Sequence, residues 1–389
     1  MDISAFSKGD LVNKVGAFTE KEIWGQPVLW QAIYDQAVKE KQSLKLFLEN
    51  ATAHENLNII LTGAGSSAFI GLSLTGLFKR HFKRNTRAVS STDLVTHPTD
   101  YLDSDVPLLL VSFARSGNSP ESVTAVRIAE EVCSKVYHLI ITCDKSGELA
   151  RYKTNSAEYV FVLPAEANDL SLAMTGSYSG MLLAGLLIAR INQINELQAQ
   201  VSALQQYALK LLGQAEDFKQ LAEVDFERAV FLGSGPLYGT ATESHLKLQE
   251  LTDGRIICKK DSFLGFRHGP KAVINDKTLV FMLFSNNPYV LQYETDLIES
   301  LKEGQKPLLL AGITESGLNE LKLDTLFVLS DKGNYLDEDF LPVCFVLPAQ
   351  LVGYYKCLQL GLNPDSPSAS GAISRVVKGV VIYPFNTVN

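Results

Sequence analysis

Four short segments of this chain carry residue types able to do chemistry. The first is Ser112-Phe113-Ala114-Arg115-Ser116-Gly117-Asn118-Ser119-Pro120-Glu121-Ser122, which follows an apolar run from Leu108 to Val111. Ser119 can serve as N-cap with Pro120 at the first helical position, so free backbone amides face the loop. Such a helix start attracts an anion; Ser116 and Ser119 add hydroxyl donors and Arg115 adds charge. An ordinary capped turn has the same sequence, and for this loop alone it is the simpler reading. The second segment, Thr62-Gly63-Ala64-Gly65-Ser66-Ser67-Ala68, is not GxGxxG, because Ala68 stands at the third position. A dinucleotide site would also want an acidic residue about twenty positions on. Position 85 is Asn85 and Asp93 comes later, so the adjacent Ser66 and Ser67 suit sugar hydroxyls or phosphate better than NAD.

The third segment is the helical run Gly239 to Leu251, in which Glu243, Lys247 and Glu250 stand at i, i+4 and i+7 and so share one face. A solvated salt-bridge stripe has this pattern, each pair worth only a few tenths of a kcal/mol. A carboxylate positioned by a lysine for proton transfer has it too. Taken alone, the stripe is preferred. The fourth segment, Gly265-Phe266-Arg267-His268-Gly269-Pro270-Lys271, places His268 before Gly-Pro, on a rigid exposed turn rather than mid-helix. No HxxxH, HExxH or Cys/His cluster accompanies it, so neither a metal nor any other cofactor is expected.

The elements that must position these segments come in two copies. Ile59-Ile60-Leu61-Thr62-Gly63-Ala64-Gly65 is echoed 170 positions later by Ala229-Val230-Phe231-Leu232-Gly233-Ser234-Gly235. Val106 to Val111 matches Lys277 to Met282, Leu139 to Thr142 matches Leu308 to Ala311, and Phe161 to Leu163 matches Phe327 to Leu329. Repetition on this scale predicts two copies of one α/β unit, each a mostly parallel sheet flanked by helices. Loops at the carboxyl ends of such strands are where these folds bind ligands. The expected organisation is an N-terminal helical extension over 1–50, a first unit with linker helices over 51–225, and a second unit with a tail over 226–389. Residues 1–17 read as an irregular lead-in. Thr19 and Glu22 have capping-box spacing and open a helix expected to break near Pro27. The region 170–222 reads as long helices, one carrying Leu197, Val201, Leu204, Tyr207, Ala208 and Leu211. The Pro/Ser/Asn-rich stretch 363–371 reads as a loop before a last strand, Gly379 to Tyr383.

Composition narrows the function classes. With 389 residues, 46% hydrophobic and 20% charged, the chain is long enough for two medium domains with cores of their own. A net charge of −8 leaves no basic excess to displace counterions, which argues against nucleic acid as a partner. The five cysteines form no CxxC pair and read as free thiols of a reducing compartment. Met1 to Asp10 lacks the blocks of a signal peptide, and Met181 to Ala189 is too short to cross a bilayer, so a cytoplasmic protein away from membranes is expected. The helices of 190–222 and the amino-terminal segment offer more apolar surface than two small sheets can cover, which suggests a homodimer.

Taken in order, the four segments resemble the sugar isomerase (SIS) family, especially the isomerase half of glucosamine-6-phosphate synthase. The matching signatures are Gly65-Ser66-Ser67, Ser116-Gly117-Asn118-Ser119, Glu243 with Leu246-Lys247-Leu248-Gln249-Glu250, and Arg267-His268-Gly269-Pro270. Within that family the chain is more similar to the galactosamine-6-phosphate deaminase/isomerase group, also known as tagatose-6-phosphate ketose/aldose isomerases. That pattern appears in Thr92-Asp93-Leu94-Val95-Thr96, in Ser116 to Val123, in Gly265 to Lys271 and in Ser368-Ala369-Ser370-Gly371. The resemblance implies two tandem SIS domains and a phosphorylated amino sugar as substrate. It also implies roles: Ser66, Ser67, Ser116 and Ser119 bind the phosphate, and Thr175 closes another side. Glu250 moves a proton between C2 and C1, and His268 assists ring opening. Lys247 orients the carboxylates with Glu243 beside it, and Lys378 faces the substrate. Active sites of the family form across a dimer, so His268 is expected to serve the neighbouring subunit. Two positions depart from the synthase pattern, which has glutamine at Arg115 and lysine at Gln249. The synthase's glutaminase domain has no counterpart in the roughly 57 residues before the first strand, so running the chemistry toward ammonia release is the consistent direction.

The chemistry itself can be stated from the residues. Opening a hexosamine hemiacetal needs an acid/base near the ring oxygen, and moving hydrogen from C2 to C1 needs one carboxylate that takes and returns a proton. An amino group on C2 then yields a C2 imine, hydrolysed to a ketose phosphate and ammonia. A hydroxyl there gives plain aldose–ketose isomerisation. The expected activity is conversion of D-galactosamine-6-phosphate to D-tagatose-6-phosphate and ammonia. The alternatives are a phosphosugar isomerase without deamination, and a non-catalytic sugar-phosphate sensor.

Overall fold

The computed structural model describes residues 14–318, 321, 323–377 and 379–385, so Lys378 and the lead-in before Lys14 lie outside the described residues. Among the described residues, ten strands form two five-stranded sheets. The first holds β1 (Asn58–Thr62), β2 (Asn85–Ala88), β3 (Leu108–Ala114), β4 (Val136–Thr142) and β5 (Ala157–Val162). The second holds β6 (Arg228–Gly233), β7 (Ile257–Asp261), β8 (Thr278–Leu283), β9 (Leu309–Ser316) and β10 (Thr325–Ser330). Their orders, β2-β1-β3-β4-β5 and β7-β6-β8-β9-β10, are the same permutation, and every pairing is parallel. The repeat in the sequence is thus a repeat of topology. Both β3 and β4 are buried along their whole length, as unbroken apolar runs require when helices cover both faces.

Helix Ala17–Lys39 runs through Pro27 without a break, contrary to the expected interruption. Proline removes one backbone donor and would orphan the carbonyl four residues back. That carbonyl belongs to Ile23, and the Gln26 side-chain amide donates to it at 3.1 Å. The capping box is also absent. The helix starts at Ala17, and the amides of Phe18 and Thr19 together with the Thr19 hydroxyl donate to Asp365 at 3.3, 2.8 and 2.8 Å. The cap therefore comes from a residue 346 positions away, beyond the reach of a local pattern. Glu22 points elsewhere, as described below.

The same helix joins the two halves. Gln26 donates to Gln350 (2.7 Å) and accepts from Ser179 (2.6 Å), and Trp30 donates to Ser179 (3.0 Å), all buried. Helix Gly176–Ala189 is buried throughout, as its apolar run implies. The segment Glu338–Gln359 is long and apolar enough to span a membrane by composition, yet 89% of its apolar window is packed inside the protein. The region 170–222 resolves into helices Gly176–Ala189, Gln198–Gly213 and Ala215–Glu223 with a 3₁₀ stretch Ile191–Leu197. Val201, Leu204, Tyr207 and Leu211 are buried within the chain itself. Leu209 of the same helix, and Val28 and Leu46 of the amino-terminal helices, stay exposed. Gly379 to Tyr383 pairs with no strand, which corrects the expected last strand. All five cysteines are free thiols; Cys133, Cys143, Cys344 and Cys357 are buried, and Cys258 is partly so.

Candidate active site

Each sheet turns into its first helix through a glycine pair. Gly65 (φ 56°) and Gly235 (φ 54°) both take the left-handed region that disfavours side chains. In the first copy this turn starts helix Ser66–Phe82, with Ser66 and Ser67 at its first two positions. At the end of β3 the loop enters helix Pro120–Val132 with Ser119 as N-cap and Pro120 in the first turn, as expected. The Ser119 hydroxyl makes no capping bond, which leaves it for the loop's open side. The loop is fastened from behind, where Asn118 Oδ1 accepts from the Glu148 amide and the Gly117 carbonyl from the Leu149 amide, both at 2.9 Å.

Helix Pro236–Leu251 packs on helix Ser66–Phe82 so closely that a Cβ on Gly239 would lie 2.3 Å from Ser73 Oγ. This approach sets the charged face of the second-half helix beneath the serines of the first. Glu243 is 0% exposed and Lys247 is buried, so a solvated stripe is excluded. Lys247 Nζ donates to Glu250 Oε2 at 2.6 Å and lies 3.3 Å from Glu243 Oε1. Burial raises the Glu243 carboxyl to about 7, against the pull of Lys247 and with help from the Glu250 charge. Burial opposes the Lys247 charge too, but the two carboxylates outweigh it and hold the amine above the ordinary lysine range. Of the three, Lys247 and Glu250 open onto a cavity of about 560 Å³.

That cavity brings together most of the expected residues. Ser66, Ser67, Arg115, Ser116 and Ser119 line it together with Lys247 and Glu250. Hydroxyls, helix-start amides and a guanidinium, with a carboxylate–ammonium pair in the same cavity, can hold a phosphorylated polyol with its carbon chain beside a proton acceptor. The volume suits a hexose phosphate. Glu243 sits below the wall rather than in it. Thr175 does not line the cavity: its amide and hydroxyl are turned onto Asp169 at 2.7 and 3.2 Å. His268 is exposed on the turn before Pro270, as the Gly-Pro sequence implies, and is not part of this chain's cavity. Among the described residues no three His, Cys, Asp or Glu side chains gather where they could hold a metal ion.

Sequence reasoning missed the rest of the wall. Leu172 and Met174 line the cavity from the loop 168–175, and the tail segment 371–377 lines it with Arg375. Two carboxylates hold the loop. Glu22 Oε1 accepts from the amides of Leu170 (2.6 Å) and Ser171 (3.2 Å), and Asp169 Oδ2 from those of Thr175 (2.7 Å) and Ser177 (3.0 Å). Burial, then the Asp169 charge, raises the Glu22 carboxyl to about 8 against its hydrogen bonds. The loop's carbonyls in turn fix Arg115, whose Nη1 donates to Ser171 (3.3 Å) and Leu172 (2.9 Å). The signals for these residues are lone charges in otherwise uninformative segments.

The second copy shows what a closed version of the loop looks like. After β8, the Ser285 amide donates to Glu294 at 2.8 Å, its hydroxyl to Glu338, and the Asn286 amide group to Glu315 at 2.6 Å. The chain's own carboxylates take these donors, whereas Ser116 and Ser119 after β3 line the cavity.

Comparison with known proteins agrees with this architecture. Residues 53–190 match the SIS domain family. A D-galactosamine-6-phosphate deaminase AgaS from Shewanella sp. (strain ANA-3) is 38% identical over 99% of this chain and 96% of its own length. A crystal structure from Clostridium novyi NT superposes with a TM-score of 0.93 at 38% identity, covering 99% of this chain and 100% of that one. The tagatose-6-phosphate ketose/aldose isomerase structure from Escherichia coli gives 0.86 at 36% identity, over 95% and 97%. With identity at this level across nearly the whole length, the chain belongs to the AgaS family of SIS-domain proteins.

Proposed function

We propose that this protein is a deaminating isomerase that converts D-galactosamine-6-phosphate to D-tagatose-6-phosphate and ammonia. The observation that carries the reading is the Lys247–Glu250 pair lining one cavity with four serines, in a chain whose curated relative is a galactosamine-6-phosphate deaminase. Ser66, Ser67, Ser116 and Ser119 hold the phosphate with Arg115, at two helix starts that favour anions. The pyranose opens to the aldehyde with His268 as the acid/base, supplied by the partner of a homodimer. Glu250 removes the C2 proton, giving an enolamine across C1 and C2, and returns a proton to C1, leaving a C2 imine. Water adds at C2, and the carbinolamine expels ammonia to give the ketose. Lys247 keeps Glu250 oriented, and Glu243, buried beneath, balances the lysine. The chain is read as an extension (1–50) and two SIS units (51–225 and 226–389) working in the cytoplasm.

A second reading has a specific observation behind it, since the solved Escherichia coli structure is named a tagatose-6-phosphate ketose/aldose isomerase. The same residues would then shift a proton on a substrate with a C2 hydroxyl. Measuring ammonia release and ketose formation from galactosamine-6-phosphate, glucosamine-6-phosphate and galactose-6-phosphate separates the two. Stoichiometric ammonia and ketose from the first supports deamination; ketose from galactose-6-phosphate with no ammonia from either amino sugar overturns it.

A further inference from the structure

We propose that Arg375, carried by the C-terminal tail, is a second substrate-binding cation that shares the phosphoryl group of the sugar with Arg115. The inference rests on reading the cavity as a phosphosugar site, and adds to it a residue that the serine loops do not predict. Arg115 and Arg375 line the same cavity as the four serines. Arg115 is buried, and its recorded partners are neutral: the carbonyls of Ser171, Leu172 and, at 2.5 Å from Nη2, Arg375 itself. Arg375 Nε donates to the Asp169 carbonyl at 2.8 Å and Nη2 to Asn168 Oδ1 at 2.7 Å, which are also neutral acceptors. Among the described residues, neither guanidinium has a carboxylate within ion-pair distance, although the chain carries a net charge of −8.

Two cations have thus been placed together with neutral hydrogen-bond partners, and the Asp169 and Glu250 charges act on Arg115 only from beyond ion-pair distance. Burying a charge without a paired counter-charge is unfavourable: burial first, and then the nearby Arg375, work against the Arg115 charge, while the Asp169 charge partly offsets them. A phosphate monoester carries a charge of about −1.5 to −2 near neutral pH, which matches the pair. Its oxygens fit the planar fork of a guanidinium, and two forks approaching from loop and tail leave the serine hydroxyls for the remaining oxygens. Arg115 also binds the Arg375 carbonyl, so an occupant engaged by both would bridge two segments already in contact.

The test uses the full chain and inorganic phosphate, titrated calorimetrically, with the KM for galactosamine-6-phosphate measured in parallel. Arg375→Gln keeps donors toward Asn168 and Asp169 but loses the charge, and Arg375→Lys keeps the charge. The Gln variant should bind phosphate roughly ten- to hundredfold more weakly, with KM raised in step, as expected for one charge-assisted contact. The Lys variant should recover most of the affinity. Gln and parent affinities that coincide would overturn the inference while leaving the phosphosugar reading intact. A parent protein that binds neither phosphate nor phosphosugar would overturn both.

Discussion

Lys247 Nζ lies 2.6 Å from Glu250 Oε2 and 3.3 Å from Glu243 Oε1, so one buried ammonium serves two carboxylates of different exposure. Glu250 keeps an open side toward the cavity, whereas Glu243 has none. The pair arrangement lets the lysine neutralise the buried carboxylate and steer the open one at the same time. It also separates two kinds of substitution.

Glu250→Gln preserves shape and the hydrogen bond from Lys247 but removes the proton acceptor. Turnover should fall by roughly a hundredfold or more while phosphosugar binding and melting temperature stay near the parent's. Lys247→Met should instead leave Glu243 buried without its cation, and cost about 3 to 5 kcal/mol of stability. Steady-state kinetics, calorimetric binding and denaturant unfolding on both proteins check this. A Gln variant within a few-fold of parental turnover would remove Glu250 from the chemistry.

Glu294 gives a pH dependence of stability. Burial raises its carboxyl to about 7, against bonds from Ser285 and Ser234. A raised carboxyl contributes stability that is full below the unfolded value of about 4.5 and lost as pH rises through about 7. Glu243 and Glu22 shift in the same direction, so the parent should weaken between pH 5 and pH 8. Glu294→Gln keeps an acceptor for the Ser285 amide and abolishes this share. Relative to the parent, the variant should gain roughly 2 to 3 kcal/mol from pH 5 to pH 8. Urea unfolding at the two pH values measures it, and parallel pH profiles would refute it.

The repeated turns were legible in the sequence because they rest on local chemistry. Gly65 and Gly235 announce the same left-handed turn, and Ser119-Pro120 announces a helix start, whatever surrounds them. The carboxylate–lysine face was legible as spacing, but its burial was not, because the Gly239–Ser73 approach that covers Glu243 joins two halves of the chain. Long-range partners explain the other misses. Thr19 is capped by Asp365, Ile23 is satisfied by Gln26 around Pro27, and Thr175 is turned inward by Asp169. Arg375 sits in a segment with no periodicity, and its bonds to Asn168 and Asp169, with the one its carbonyl accepts from Arg115, bring it to the cavity.

The exposure of His268 outside its own chain's cavity sets up a complementation experiment. If the ring-opening group comes from a partner subunit, a site is complete only when one chain supplies Glu250 and the other His268. Glu250→Gln and His268→Ala homodimers should each be inactive toward galactosamine-6-phosphate. In mixed dimers, one of the two sites combines the intact Glu250 of one chain with the intact His268 of the other. At statistical exchange of equal amounts, about half of the dimers are mixed, each with one working site, so activity should recover to roughly a quarter of the parental value per chain. Subunit exchange is verified independently with two differently tagged chains. Demonstrated exchange with no recovered activity would show that His268 serves its own chain or none. Activity of either homodimer on its own would place that residue outside the reaction's essential set.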